Sequence, residues 1–173
     1  MTLYEFEGRR PEVHETSYVS ESAEVIGDVT IGKGCFIAPG VVIKGDYGTV
    51  KIGDNSNVQE NCVVHARPDE TTTIGRWVTV GHAAVIHGAT INDYAVIGMG
   101  AIVSDDAAIN EWGVVAEGAV VNSGKVVEKE TVVAGVPAKP IKKIDDKYKE
   151  TWMEIKKEYS SFSKRYKENL KRL

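Results

Sequence analysis

The sequence is short of aromatic residues, of cysteine and of long apolar runs, and it carries no excess of positive charge. Aromatics make up 8% of the 173 residues, and Cys35 and Cys62 are the two cysteines. Two thiols do not make the disulfide framework of a small secreted domain, and both are expected to be reduced core residues. No stretch approaches the roughly 20 apolar residues that a membrane-spanning helix needs. The opening residues MTLYEFEGRR lack the charged-then-apolar order of a signal peptide. A cytoplasmic location with no membrane partner is therefore expected. A net charge of −4 gives no reason to expect nucleic acid as a partner. Five prolines and seventeen glycines are too few for a disordered or collagen-like chain, yet enough for many turns. What remains, at 42% apolar, reads as one soluble domain with a real core.

The dominant feature is a repeat of six. Aliphatic residues stand at Val19, Val25, Ile31, Ile37 and Ile43, then at Ile52, Val58 and Val64, then at Ile74, Val80 and Ile86. A last run holds Ile91, Ile97, Val103, Ile109, Val115, Val121, Val127 and Val133, giving nineteen such positions. Neither a helix of period 3.6 nor a plain strand of period 2 produces this spacing. Short strands joined by tight turns do, each turning one aliphatic side chain inward, and three hexapeptides per coil make a triangular prism. Nineteen strands amount to about six coils, stacked about 4.8 Å apart. The expected fold is all-β, a parallel β-helix over residues 17–138, preceded by an N-terminal segment over 1–16. Residues 139–173 differ. Ile144, Tyr148, Trp152, Ile155, Tyr159, Phe162, Tyr166 and Leu170 recur at helical spacing. They predict an amphipathic helix of about 28 residues, capped by Asp145 or Asp146 and lying along the prism.

Three of the four histidines gather at one corner of this prism. His65 follows Val64 and His87 follows Ile86, and these strands are one full coil apart. The two imidazoles should therefore project side by side from successive coils, close enough for both to ligate one ion at about 2.0–2.1 Å. His82 lies two places after Val80, on a different face. It reaches the other two only from a neighbouring subunit, so a homotrimer with a metal between subunits is expected. The steps Ile43 to Ile52, Val64 to Ile74 and Ile86 to Ile91 depart from six, and all fall at the corner beside Lys44, His65 and His87. Irregular turns gathered next to stacked histidines mark a site on a rigid scaffold. His14 reads as a surface residue.

The segments IGDVTIGKG, VIKGDYG, NVQENCVVH, VGHAAVIHG, VIGMGAIV and AGVPAKPIKKI resemble the γ-class carbonic anhydrases and the similar carbonic anhydrase-like proteins of the acyltransferase superfamily, over almost the whole chain. The resemblance implies a left-handed winding and a trimer. It also implies metal ligation by His65, His82 and His87, and a Gln59 that orients the metal-bound water. Asn57 would stand beside Gln59 near the substrate, Asp46 would hold a cation at the interface, and Tyr159 would close the pocket. The family usually has Arg where Lys44 precedes Gly45 and Asp46, which replaces a bidentate grip with a point charge. Asp69 and Glu70 are the acidic residues of the following loop.

Three imidazoles with one open position suit Zn²⁺, with Fe²⁺ or Co²⁺ also compatible, and such an ion generates hydroxide at neutral pH. The expected activity is reversible hydration of CO₂ to bicarbonate, at a modest rate because no proton-export residue stands out. The alternatives are an acyl-CoA thioesterase or acyltransferase built on the same prism, and a metal-binding scaffold without turnover.

Overall fold

The computed structural model describes residues 2–173. The chain forms a left-handed parallel β-helix with a C-terminal helix over Asp146–Asn169, as the hexapeptide pattern predicts. Three faces run the length of the prism. One face carries Val63–His65, Val85–His87, Ile102–Val103 and Val120–Val121. A second carries Thr71–Ile74, Thr90–Ile91, Ala108–Ile109 and Val126–Val127. The third stacks seven parallel strands from Tyr18–Val19 to Thr131–Ala134, closed by Lys139–Lys143 running antiparallel. Two long strands, Glu24–Ile31 and Val42–Ile52, pass continuously from the first face to the second.

The prism has seven coils, where the aliphatic count suggests six. The added coil comes from residues assigned above to a separate N-terminal segment. Thr2–Tyr4 pairs with the long strand so that Leu3 lies against Val25, and Glu12–Val13 places Val13 against Ile31. Leu3 and Val13 thus occupy inward positions of the first coil. The chain between them makes an extra excursion, with Phe6 and Arg9 bonded to each other, and this breaks the period of six. The excursion leaves at the corner where the three later irregular turns also fall.

The interior is a stack of Val and Ile with almost no exposed surface, interleaved with small residues such as Ala23, Ala84, Ala95 and Ala101. Each buried aliphatic side chain contributes roughly 1.5–3 kcal/mol through removal from water. Cys35 and Cys62 belong to this core, and burial pushes both thiols up to about 11. At the corner crossed by the long strands the backbones come very close. Gly27 has φ +78°, and a Cβ there would lie 2.5 Å from Gly45 O. Only glycine fits such an approach.

The helix is 24 residues long, not 28, because it ends at Asn169, with Leu170 in an extended conformation, while Lys139–Lys143 before it forms the antiparallel strand. Asp145 caps it, accepting a 2.8 Å hydrogen bond from Tyr148 N. The helix lies on the third face. Phe162 and Tyr166 pack on Phe36 with ring centroids 5.5 and 4.9 Å apart. Tyr148 and Trp152 pack on Val96, Val114 and Val132.

The three faces consequently differ in what covers them. The third is roofed by the helix, and the second shows mainly polar side chains such as Lys51, Thr73 and Thr90. The first displays an outward column of Val42, Val63, Val85, Ile102 and Val120, which stand in register on successive strands. Val63 and Ile102 are 38% and 40% exposed.

Candidate metal centre

The parallel ladder sets the geometry of the histidine column. Lys44, His65 and His87 pair in register on three successive strands. The His65 and His87 rings lie with centroids 5.1 Å apart, and His65 Nδ1 faces His87 Nε2 at 3.2 Å. The opposite nitrogen of each ring meets a carboxylate. His65 Nε2 is 2.8 Å from Asp46 Oδ1, and His87 Nδ1 is 2.5 Å from Asp105 Oδ1.

This arrangement fixes both tautomers. A ring nitrogen beside a carboxylate carries the proton, so the two facing nitrogens present lone pairs to each other. Two lone pairs at that distance repel unless something positive sits between them. With metal–nitrogen bonds of about 2.05 Å, nitrogens 3.2 Å apart subtend about 103° at an ion, close to the tetrahedral angle of about 109°. The pair therefore fits two adjacent corners of a zinc-type site.

His82 stands in the turn after Thr79–Val80, near the edge of the third face. Its Nδ1 lies 2.6 Å from Glu60 Oε2, a close charge contact outside the angles of a hydrogen bond. Glu60 lies one coil below, because Val58 pairs with Val80. All three histidines thus follow one rule: one nitrogen against a carboxylate, the other available. Among the described residues they do not converge within a single chain, and no group of three ligating side chains does so.

Around Asp46 the charges are satisfied internally. Lys44 Nζ is 2.8 Å from Asp46 Oδ2. Partial burial would raise the Asp46 carboxyl, but hydrogen bonds from Lys44 and His65 outweigh it and hold the group at about 2. Asp46 is accordingly occupied by its own chain's Lys44, where the resemblance implies a cation held across an interface. Glu70 pairs with Arg67 at 3.6 Å, and Arg67 also bonds Asp106 at 3.0 Å.

Gln59, His82 and Tyr159 line one groove of about 470 Å³ between the third face and the helix. Its walls are aliphatic and aromatic, including Val96, Val114, Met99 and Trp152. Burial and the charge of Glu60 raise the Tyr159 hydroxyl above its ordinary value. Asn57 does not line the groove. It is fully buried behind Gln59, accepting from Gln59 Nε2 at 3.1 Å and donating to Thr79 Oγ1 at 3.1 Å. Its strand position turns it under the helix, so it supports Gln59 and does not face a substrate.

Sequence reasoning missed Asp105, Glu60 and Lys156. Asp105 and Glu60 each had a signal, since each stands one coil from its histidine. Lys156 also had one, because Tyr148, Trp152 and Lys156 fall at intervals of four on the apolar stripe. Its Nζ has no ion-pair partner, donates to Ala95 O at 3.1 Å and lies 3.3 Å from Thr79 Oγ1.

Comparison with known proteins agrees with this architecture. The family described as bacterial transferase hexapeptide (six repeats) matches residues 10–45, and the GMPPB C-terminal domain family matches residues 46–153. The carnitine operon protein CaiE of Escherichia coli O157:H7 is 36% identical over 146 residues, covering 84% of this chain and 74% of CaiE. The chain belongs to the carbonic anhydrase-like hexapeptide-repeat family. Two solved structures are similar over nearly their whole length. One, a hexapeptide transferase family protein from Anaplasma phagocytophilum, has a TM-score of 0.91 at 34% identity and covers 95% of this chain and 98% of its own. The other, a Bacillus cereus protein described as an acetyltransferase, has a TM-score of 0.94 at 30% identity and 98% coverage of both chains. Hexapeptide-repeat transferases are thus the enzymes this member is built like. Among the described residues no helix is long and apolar enough to cross a membrane.

Proposed function

We propose that this protein binds one zinc-type divalent ion between subunits of a homotrimer and hydrates CO₂ reversibly to bicarbonate. The carrying observation is the carboxylate-anchored pair, His65 and His87, whose inner nitrogens face each other at 3.2 Å. His82 of a neighbouring subunit supplies the third ligand in this reading. Two observations support the trimer. The histidine column borders a bare aliphatic column, Val42 to Val120, and an exposed apolar patch of that kind marks an interface. The third histidine also sits on a different face with one nitrogen uncommitted.

Bound there, such an ion supplies a hydroxide nucleophile at neutral pH. The protein's own groups do the rest. Asp46 and Asp105 hold the His65 and His87 imidazoles in the ligating tautomer, and Glu60 stands against His82 Nδ1. Gln59, anchored through its Nε2, turns its carbonyl oxygen outward to accept a hydrogen bond and so direct the nucleophile. The aliphatic groove wall gives CO₂, a small apolar electrophile, a dry place beside it. Stopped-flow CO₂ hydration by metal-reconstituted trimer is the test. A rate no greater than that of His87→Ala defeats the proposal.

A second reading, hydrolysis or transfer of an acyl thioester at the same centre, draws on two observations. The solved relatives include a protein described as an acetyltransferase, and the groove beside Gln59 is many times larger than CO₂. A coupled thioesterase assay separates the two activities.

A further inference from the structure

Lys156 lies between the helix and the third face of the prism with no exposed surface. Burial alone, with no carboxylate in reach, drives its amine down to about 7. The Trp112 and Trp152 rings lie 5.9 and 5.6 Å away. These distances are near the limit of about 6 Å for cation–π attraction, which is too small to offset desolvation of an unpaired ammonium. Above about pH 7 an amine placed like this is mostly uncharged, with a lone pair to offer.

That lone pair has a use. Thr79 Oγ1 accepts from Asn57 Nδ2 at 3.1 Å, and Asn57 Oδ1 accepts from Gln59 Nε2 at 3.1 Å. Thr79 must then send its own hydroxyl hydrogen elsewhere. The charged amine would donate to Thr79 Oγ1 at 3.3 Å, but the neutral Lys156 nitrogen accepts there, while its own hydrogen goes to Ala95 O at 3.1 Å. Each link orients the next, and the last free atom is Gln59 Oε1 in the groove beside His82. If Thr79 instead gave its hydrogen to Asn57, both amides would turn over and Gln59 would present an NH₂ group. An oxygen accepts from a nucleophilic water or hydroxide and steers its lone pair, whereas an NH₂ group competes for that lone pair.

We infer that Lys156 is a positioning residue that, through Thr79 and Asn57, fixes which end of the Gln59 carboxamide faces the groove. The inference rests on the reading of Gln59 as the group that directs the nucleophile. In the metal-loaded trimer, Lys156→Met and Thr79→Val are each expected to lower kcat for CO₂ hydration about tenfold while KM, metal content and subunit number stay within about twofold. The double variant should lose no more than the worse single, because both act on one chain of bonds. An unchanged kcat in an active wild type overturns the inference.

A second readout does not depend on activity. In ¹⁵N-labelled, deuterated protein the Gln59 side-chain NH₂ signals, identified by their disappearance in Gln59→Met, should move in both variants. They should stay in place in Lys157→Met, which alters a solvent-exposed lysine. Signals that move in a wild type unable to hydrate CO₂ count against the proposed function alone and leave the coupling standing. Signals that stay in place in both variants overturn it.

Discussion

Replacing Lys156 by methionine is expected to stabilise the protein, and to do so most at low pH. The wild-type amine is wholly buried and lacks an ion-pair partner, and its folded-state pKa is about 7 against an ordinary 10.5. At about 1.4 kcal/mol per pH unit, that displacement makes the charged form roughly 5 kcal/mol less favourable inside the protein than in the unfolded chain. Because the folded value is the lower one, the unfolded chain holds the extra proton between about pH 7 and pH 10.5. Stability therefore rises with pH across that window, and the full penalty applies below it. Between about pH 6.5 and pH 8.5 the wild type should gain about 2 kcal/mol from this group. Methionine fills a similar volume between Trp112 and Trp152 and leaves no acceptor stranded, since Ala95 O keeps its bond from Thr79 N at 3.1 Å. Urea unfolding of both proteins at one protein concentration, repeated at each pH, gives the difference between them. That difference cancels groups common to both, including the Cys35 and Cys62 thiols. A pH-independent difference, or a variant less stable than the wild type at pH 6.5, refutes the reasoning.

Other outcomes follow from the site and the fold. His65→Ala or His87→Ala should leave a folded trimer that retains no stoichiometric metal by elemental analysis. Asp105→Asn keeps both histidines but loses the charge that holds the His87 tautomer, so metal affinity should fall about 10- to 100-fold in a chelator competition. Ile102→Glu places a charge in the bare aliphatic column. Analytical ultracentrifugation should show dissociation, and bound metal should be lost together with the trimer. Gly27→Ala forces a side chain against Gly45 O in a left-handed backbone and should cost about 2 kcal/mol or more. A fall in Tm of several degrees would show it, and an unchanged Tm would contradict the close approach.

Most of the prism could be read from the sequence because one backbone unit repeats. Nineteen inward aliphatics define every coil but the first, and the register they imply places His65 beside His87 and His82 elsewhere. The first coil escaped because Leu3 and Val13 are separated by an excursion, so periodicity alone did not connect them. The histidine positions were legible and the carboxylates beside them were not. Asp105 and Glu60 act through pairing with a neighbouring coil, and a carboxylate in a surface turn looks the same in sequence whether or not a ring nitrogen faces it. Asn57 was given its place near the substrate by the resemblance; it does share an outward side with Gln59, but the helix closes over it. Lys156 was hidden by its chemical type, since a lysine on an amphipathic helix is expected in water. The helix starts at its expected cap and falls short at the other end, where the chain turns extended at Leu170.

The His65–His87 spacing is inherited from hydrogen bonding between coils and owes little to the side chains beneath. The same outward position recurs on every coil, at Lys44 below the pair and at Ser104 and Asn122 above it. A histidine pair could therefore be moved along the prism one step at a time, as a fitting slides along a rail, without recarving the interior. What would not travel with it, in the proposed trimer, is His82 of the neighbouring subunit, so the rail would fix the bite of the site and the assembly its address.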